Sequence, residues 1–341
     1  MFRFRLLTLI LFLLLAAISL PAAGRERIYC TVCNKKISGQ YVQDNAGNVY
    51  CSKKCLKKKL PHCVVCDQTM EEFIETADGR RFCSQKCFES QLPKCLNCGT
   101  PLQEHSVIKL PNGEFHFCNE CVRQELCSNC MLPLDGRKLK DGRKICRSCE
   151  KKSVKNQEEA KKLFNQVRNN LRSWLGADNR HQIEFELVDA DEIKTKFHDD
   201  IDREGVYQYS FTLIEKRTIL GAVTTVRENE KCRIYILSHL PRDKFVTVAV
   251  HELAHDYMQH YIGEFPDQAA VKEGFAQFIA YVYNIKRKVP SENIQIEFTK
   301  DEVYGNGFRK MRDLAARLGG VPQLIAHLKA MAPRPPVGVK K

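Results

Sequence analysis

The chain has 341 residues, of which 43% are hydrophobic and 28% are charged, and its formal net charge is +13. This composition excludes wholesale disorder and a protein with many membrane spans, and the length indicates two domains or three. Cysteine is abundant, with 17 residues, and all but one of them precede residue 150. The cysteines therefore need one common explanation.

Residues 1–24 have the pattern of an export signal. Arg3 and Arg5 precede an apolar run at 6–20, and small residues follow as far as Gly24. Two interpretations stay open: a signal peptide that is cleaved, or an N-terminal anchor, because the apolar stretch 6–23 is near the short limit of a membrane span. In both cases we expect the rest of the chain outside the cytoplasm, either secreted or periplasmic.

Residues 25–150 contain a fourfold repeat. Its first cysteines stand at positions 30, 63, 95 and 127, so the period is 32 or 33 residues. Each unit reads C-x2-C, then 15 to 19 residues, then C-x2-C or C-x3-C, with a glycine and an apolar or aromatic residue before the third cysteine. Such a period indicates one small unit that is copied. The four sets are Cys30, Cys33, Cys51, Cys55; Cys63, Cys66, Cys83, Cys87; Cys95, Cys98, Cys118, Cys121; and Cys127, Cys130, Cys146, Cys149.

This spacing favours four structural zinc sites. Two thiolates from one tight turn reach the same ion, and two such turns complete a tetrahedral shell of sulfur. Units of about 30 residues cannot bury enough apolar surface to fold alone, and zinc supplies the missing free energy. The alternative is a disulfide framework, which the export signal makes plausible and the even number of cysteines in the repeats, sixteen, permits. Eight closely spaced pairs are more typical of zinc than of disulfides.

The cysteine repeats resemble LIM and related treble-clef zinc modules from Cys30 to Cys149. They differ from LIM domains in their longer linkers of five to seven residues and in their all-cysteine ligands; we interpret His62 as a linker residue. We expect such modules to bind a protein partner or to dock on the next domain. Nucleic acid is not the expected partner, because thiolates bound to zinc offset much of the positive charge.

The region after the repeats predicts a helical connector at 151–180 and then an α+β domain at 181–332. An apolar stripe from Leu163 to Leu175 has helical spacing, and Gly176 is a candidate C-cap. Strand patterns follow at 183–188, within 206–226 and at 233–237. Cys232, in one of these strands, is interpreted as a buried and inert thiol. The tail 333–341 is predicted to be disordered.

The motif HELAH at 251–255 carries the strongest chemical signal. On a helix, His251 and His255 lie one turn apart on the same face and can both bind one Zn²⁺. Glu252 would then act as the general base toward a metal-activated water. Chance produces such a match in roughly one chain in a hundred of this length at ordinary residue usage.

A third ligand is predicted at Glu273, near the start of a second helix at 267–284. Two histidines and one glutamate leave an open fourth position, which is the pattern of a catalytic zinc site. The alternative role of Glu273 is a carboxylate that stabilises the helix N-terminus. Asp267 and Glu264 are weaker candidates for the third ligand.

Four segments occur in the order found in one protein family: Leu240-Pro241-Arg242, HELAH, Glu273-Gly274 and the YGNGFR segment at 304–309. In this order the chain resembles the LIM-domain, ubiquitin-activated metallopeptidases of plant organ-size control and their bacterial relatives. The resemblance covers about 160–330 and implies a zincin fold of the gluzincin type. It also implies His251, His255 and Glu273 as zinc ligands and Glu252 as the catalytic glutamate. The ubiquitin-interacting helices of the plant members are absent from this sequence.

A group that stabilises the oxyanion of the transition state is also expected. Tyr304 and Arg309 lie in the segment that matches the family, and His260 and Tyr281 are further candidates. An alternative is purely structural, in which Gly305 and Gly307 form a turn and Arg309 caps a neighbouring segment. Asp256 either orients a ligand histidine or is a solvated helix carboxylate. Two short helices are predicted at 311–318 and 321–328.

The sequence therefore predicts an α+β, zincin-like (gluzincin-type) metallopeptidase domain that follows small tandem four-cysteine modules of the zinc-ribbon or LIM-like kind. The expected cofactors are one catalytic and about four structural Zn²⁺ ions. The expected activity is endopeptidase hydrolysis of a protein or peptide substrate. The alternative is an adaptor whose zinc modules bind proteins and whose peptidase-like domain is inactive. A membrane is an expected partner only if the N-terminal segment stays uncleaved.

Overall fold

The computed structural model describes residues 27–177, 181–198, 203–217, 223–265, 268–332 and 339–340. The expected export signal and most of the expected tail lie outside these ranges, as does Asp267. The chain divides into two compact units. The first extends to Ser106 and also includes His116–Cys118, whereas the second comprises Val107–Phe115 and the residues from Asn119 onward. Within the described ranges, no helix is both long and apolar enough to cross a membrane.

The cysteine repeats form a series of two-stranded hairpins, most of which lead into a short helix. Each second cysteine pair lies at the end of a hairpin, where the chain turns into a helix or, in the third repeat, into a 3-10 turn. In the first two repeats, Ser52 and Ser84 cap that helix by accepting a hydrogen bond from the N–H of the last cysteine. The elements are β1 Val42–Gln43, β2 Val49–Tyr50, α1 Lys53–Lys57, β3 Ile74–Glu75, β4 Arg81–Phe82, α2 Gln85–Glu89, β5 Ser106–Leu110, β6 Gly113–Phe117, a 3-10 turn at Cys121–Arg123, β7 Gly136–Lys138, β8 Lys144–Cys146 and α3 Arg147–Lys152.

The same backbone turn recurs at the first cysteine pair of every repeat. In the first repeat, Cys30 N–H donates to Lys35 O at 2.9 Å, and Asn34 N–H donates back to Cys30 O at 2.9 Å. The residue four positions after each first cysteine has a left-handed backbone, with φ between 55° and 76°. The side chain before each third cysteine is buried. These side chains belong to Tyr50, Phe82, Phe117 and Ile145. The predicted repeat is therefore a repeat of conformation as well as of spacing.

The second unit contains a mixed sheet packed against helices. The strand β11, Val223–Leu237, is central: β10, Gly205–Arg217, pairs with it antiparallel, and β9, Ile183–Val188, pairs with its second half in parallel. A short strand β12, Val339–Lys340, pairs in parallel with its first half. Buried Ile234 and Ile236 of β11 belong to the core that the helices share. The fold is thus a mixed α+β arrangement, as the sequence predicts.

The helices of this unit supply the rest of the core. The predicted connector helix is α4, whose apolar stripe is buried in the common core, and Gly176 caps it with a left-handed φ of 69°. The YGNGFR segment is not a turn: the helix α9 begins at Tyr304, so its glycines lie inside a helix. The bounds are α4 Gln157–Leu175, α5 Ala190–Phe197, α6 Arg242–Tyr257 with a π-helical turn at Met258–Ile262, α7 Ala269–Lys286, a 3-10 turn at Pro290–Glu292, α8 Asn293–Phe298, α9 Tyr304–Leu318 and α10 Val321–Met331.

The fourth cysteine repeat packs within the second unit. Asn129 Nδ2 donates to His239 O at 2.8 Å, and Arg143 Nη1 donates to Ser238 O at 3.1 Å. The Asp141 carboxylate accepts from Ala190 N–H at 3.1 Å, at the start of α5. The first two bonds attach the repeat to the loop that joins β11 to α6, and the third attaches it to the start of α5.

Candidate metal centres

Each of the four cysteine sets brings four sulfur atoms within 4.8 Å of one another. In the first set, Cys51 Sγ lies 3.6 Å from Cys33 Sγ and 3.5 Å from Cys55 Sγ. A disulfide would require about 2.05 Å, whereas sulfur atoms around one tetrahedral Zn²⁺ lie about 3.7 Å apart for a bond of about 2.3 Å. All the described cysteines are free thiols. These four-cysteine clusters can hold zinc, and their spacing differs from that of disulfides.

A second kind of centre lies where α6 faces α7. His251 Nε2 is 3.1 Å from Glu273 Oε2, His255 Nε2 is 3.3 Å from the same oxygen, and the two Nε2 atoms are 3.1 Å apart. The helix α6 places both histidines on one face because they are four residues apart. Although burial acts to raise it, the hydrogen bonds from the two histidines hold the pKa of Glu273 well below its usual range. The structure thus brings together the three residues that the sequence proposes as ligands.

Glu252 is buried beside this triad, with a residue exposure of 5%. Burial raises the pKa of its carboxyl to about 7; the positive charge of His251 acts against this rise, and the negative charge of Glu273 adds to it. The backbone N–H of Tyr207 on β10 donates to the Glu252 carboxylate and also acts against the rise. A carboxyl whose pKa lies near neutrality can both accept and deliver a proton, which is what a general base and acid must do.

Two tyrosines and an arginine surround the centre. The ring of Tyr304 stacks against His251 with a centroid distance of 6.4 Å, and the ring of Tyr207 stacks against His255 at the same distance. Burial and the charge of Glu273 raise the pKa of Tyr304 to about 12, so its hydroxyl remains a hydrogen-bond donor. The positive charge of Arg203 acts on both Glu252 and Tyr304. Sequence reasoning missed Tyr207 and Arg203, because no motif marks either residue.

The remaining candidates have other contacts. Arg309 donates to Thr299 O at 3.0 Å and to Asn306 Oδ1, which is the capping arrangement that the structural alternative describes. The Tyr281 hydroxyl donates to Glu297 at 2.8 Å. Glu264 forms an ion pair with Arg227. Tyr304 therefore lies beside the centre. The described contacts of Arg309, Tyr281 and Glu264 are with residues that do not belong to it.

A further cluster was not expected from the sequence. His181, Cys232, Asp256 and His260 bring one possible ligand atom each within 4.8 Å of one another. The Asp256 carboxylate accepts from His181 Nε2 at 2.8 Å, and this bond raises the pKa of His181 to about 9. Cys232 is therefore not isolated: its sulfur lies 3.3 Å from His260 Nε2. The signal that could have revealed the cluster is the i,i+4 spacing of Asp256 and His260, directly after the HELAH motif.

No protein-family model matches the chain, and the search of curated proteins finds no match either.

Proposed function

We propose that the chain is a zinc-dependent endopeptidase of the gluzincin type that hydrolyses protein substrates. The observation that carries the proposal is the meeting of His251, His255 and Glu273, with Glu252 buried beside them. The order of the segments that resemble the metallopeptidase family supports the same proposal.

The three side chains fit a zinc ion. Tetrahedral ligands at about 2.0 to 2.2 Å from zinc lie about 3.3 to 3.6 Å apart. The observed separations of 3.1 to 3.3 Å are close to this range. Two histidines and one carboxylate leave a fourth position for a water molecule or the substrate. Zinc bound there would supply a Lewis acid that polarises the carbonyl and lowers the pKa of water.

The protein groups around the site divide the remaining tasks. Glu252 removes the proton from the attacking water and delivers it to the leaving amine, and a pKa near 7 suits both steps. The Tyr304 hydroxyl is the candidate donor to the oxyanion, and Arg203 adds positive charge to the same region. These roles assign proton transfer and charge stabilisation to different side chains.

An extended peptide has a place to bind. The strand β10 pairs with β11 on one side, and none of the other described strands pairs with its second side. Its first residues approach α6, because the backbone of Tyr207 contacts Glu252. A peptide that adds to this edge would gain backbone hydrogen bonds beside the catalytic residues. The zinc modules would bind a protein partner or regulate access to the site.

Metal content tests the ligand set. We expect the Glu273→Gln variant to contain about one zinc ion fewer per chain than the parent protein, because the amide is a poorer ligand than the carboxylate. A Glu302→Gln variant is the matched control, since Glu302 is exposed and follows α8. Equal zinc content in the parent and the Glu273→Gln variant would remove the basis of the proposal.

Hydrolysis tests the activity itself. We expect the zinc-loaded chain to cleave an unfolded protein substrate such as casein, and to lose this activity in a chelator that removes the catalytic ion. Activity should return when zinc is added back. Cleavage that persists at full rate in the Glu273→Gln variant would contradict the proposed site.

A further inference from the structure

We propose that His181, Cys232, Asp256 and His260 form a second zinc site in the second unit, distinct from the site at His251, His255 and Glu273. Its four ligand atoms are two imidazole nitrogens, one thiolate sulfur and one carboxylate oxygen, all within 4.8 Å of one another. These are the three kinds of side chain that bind zinc in proteins.

The four residues reach this point from different parts of the fold. His181 precedes β9, Cys232 lies on β11, Asp256 lies on α6, and His260 lies in the π-helical turn that follows α6. His181 and Asp256 are 75 positions apart in the chain. Asp256 and His260 are close in the chain, but local sequence does not explain how His181 and Cys232 converge on them. Single π-helical turns are rare and often occur at functional sites, and this one carries a ligand.

Two of the three described separations between ligand atoms are near those of a filled site, and the third is a hydrogen-bond distance. The described separations are 2.8 Å from His181 Nε2 to Asp256 Oδ1, 3.3 Å from Cys232 Sγ to His260 Nε2, and 3.6 Å from His260 Nε2 to Asp256 Oδ1. Around a tetrahedral Zn²⁺ with one sulfur ligand these separations would be about 3.3 to 3.6 Å, given its bond lengths of about 2.0 to 2.3 Å. Small side-chain rotations would thus be enough to admit the ion.

Burial and charge favour an ion of charge +2. Asp256 is fully buried and Cys232 is 4% exposed. A carboxylate and a thiolate together carry two negative charges, which Zn²⁺ neutralises while both imidazoles stay uncharged. Arg168 donates to the His181 carbonyl at 2.7 Å, and its charge acts on both Asp256 and Cys232. That positive charge lowers the cost of placing two anionic ligands together.

A site with four protein ligands is closed, so we assign it a structural role. It would fasten the segment before β9, the strand β11 and the end of α6 to one ion. Asp256 directly follows the ligand His255, and Tyr207 stacks on His255 while its hydroxyl lies 4.0 Å from Cys232 Sγ. The second ion would therefore support the part of α6 that positions the first.

Zinc content of the full chain tests this site separately from the catalytic one. We expect the Cys232→Ser and His260→Gln variants each to lose about one zinc ion per chain, and a Cys232→Ser/Glu273→Gln double variant to lose about two. His327→Gln is the matched control, because His327 on α10 is outside both clusters. An unchanged zinc content in both single variants would overturn the proposal. A loss in Cys232→Ser with none in Glu273→Gln would support it and contradict the proposed function instead.

Anomalous diffraction at the zinc edge tests the unmodified chain, and so does not depend on the folding of a variant. Crystals of the zinc-loaded protein should show a peak between Cys232 Sγ and His260 Nε2. Occupied four-cysteine sites in the same crystal provide the internal reference. Peaks at those sites with none at the second site would overturn the proposal.

Discussion

Gly274 and Gly307 bring the backbones of α7 and α9 into direct contact. A Cβ on Gly274 would overlap the carbonyl group of Gly307, and a Cβ on Gly307 would lie 2.5 Å from Ala270 O. Glycine permits this approach because it has no side chain. Gly274 directly follows Glu273, so the contact fixes the position of the proposed ligand. The contact between the two glycines thus explains why the Glu273-Gly274 and YGNGFR segments lie side by side in the fold.

We expect Gly274→Ala and Gly307→Ala each to lower the free energy of unfolding by about 1 to 3 kcal/mol, because the added methyl forces the helices apart. Chemical denaturation of the zinc-loaded chain measures the effect. Since both changes disturb one contact, the double variant should lose less than the sum of the two. Strict additivity, or alanine variants as stable as the parent, would show that the helices do not meet at these glycines.

Gly205→Ala should reduce hydrolysis without changing the number of zinc ions. A Cβ at this position would lie 2.5 Å from Glu252 Oε1 and 2.6 Å from Val248 Cγ1, so the carboxylate would have to move. Displacement of a general base by about 1 Å can lower the rate about a hundredfold. Steady-state kinetics and metal analysis on the same sample check the two parts of this prediction, slower hydrolysis and an unchanged zinc content. A variant with parental kcat would mean that Glu252 is not held by β10 during catalysis.

Asp141→Asn should destabilise the second unit by about 1 to 3 kcal/mol at neutral pH, because the side chain of Asp141 is buried and accepts from Arg143 and from Ala190 N–H. Although burial acts to raise it, these hydrogen bonds hold the pKa of Asp141 below its usual range. A lowered folded-state pKa gives stability that is present above about pH 4 and is lost as the pH falls through the folded-state value.

Unfolding measured between pH 3 and pH 7 separates this effect from general acid denaturation. The difference in unfolding free energy between the parent and Asp141→Asn should be constant near neutrality and shrink at the acid end. Asp191→Asn is a matched control, since Asp191 is exposed on α5. If the difference in unfolding free energy grew as the pH fell, the stabilising role of the ionised Asp141 carboxylate would be contradicted.

Loss of zinc from the fourth repeat should weaken the second unit, whereas loss from the first repeat should not. Val154 N–H donates to Leu240 O, and His239 N–H donates to Val154 O, beside the bond from Asn129. These amides should therefore exchange with solvent faster in Cys146→Ser than in Cys51→Ser, because structural zinc supplies much of a module's folding free energy. Equal exchange rates in the two variants would show that the fourth repeat does not contribute to the stability of the second unit.

Local patterns predicted much of the secondary structure. The apolar stripe predicted α4, the HELAH context predicted α6, and the cysteine period predicted the repeated turns that the structure confirms. Each of these signals depends on residues that are close in the chain. The helix α9 starts earlier than predicted because Gly305 and Gly307 look like turn residues, yet they serve a close helix contact.

Contacts between distant segments could not be predicted. Cys232 looks isolated in the sequence, but a parallel pairing with β9 brings His181 beside it. Tyr207 and Arg203 approach α6 because β10 enters the sheet next to that helix, and neither residue belongs to a motif. The packing of the fourth repeat depends on bonds to residues 238–241, which only the folded chain places within reach.

The most direct test of the account is the rate of protein hydrolysis by the zinc-loaded chain with Glu252 or with glutamine at this position. The substitution keeps the shape of the side chain but removes the proton acceptor. We predict that Glu252→Gln retains the parental zinc content and loses activity by about 10² to 10⁴-fold. Parental activity in Glu252→Gln, or no hydrolysis by the zinc-loaded parent, would contradict the proposal that this site cleaves peptide bonds.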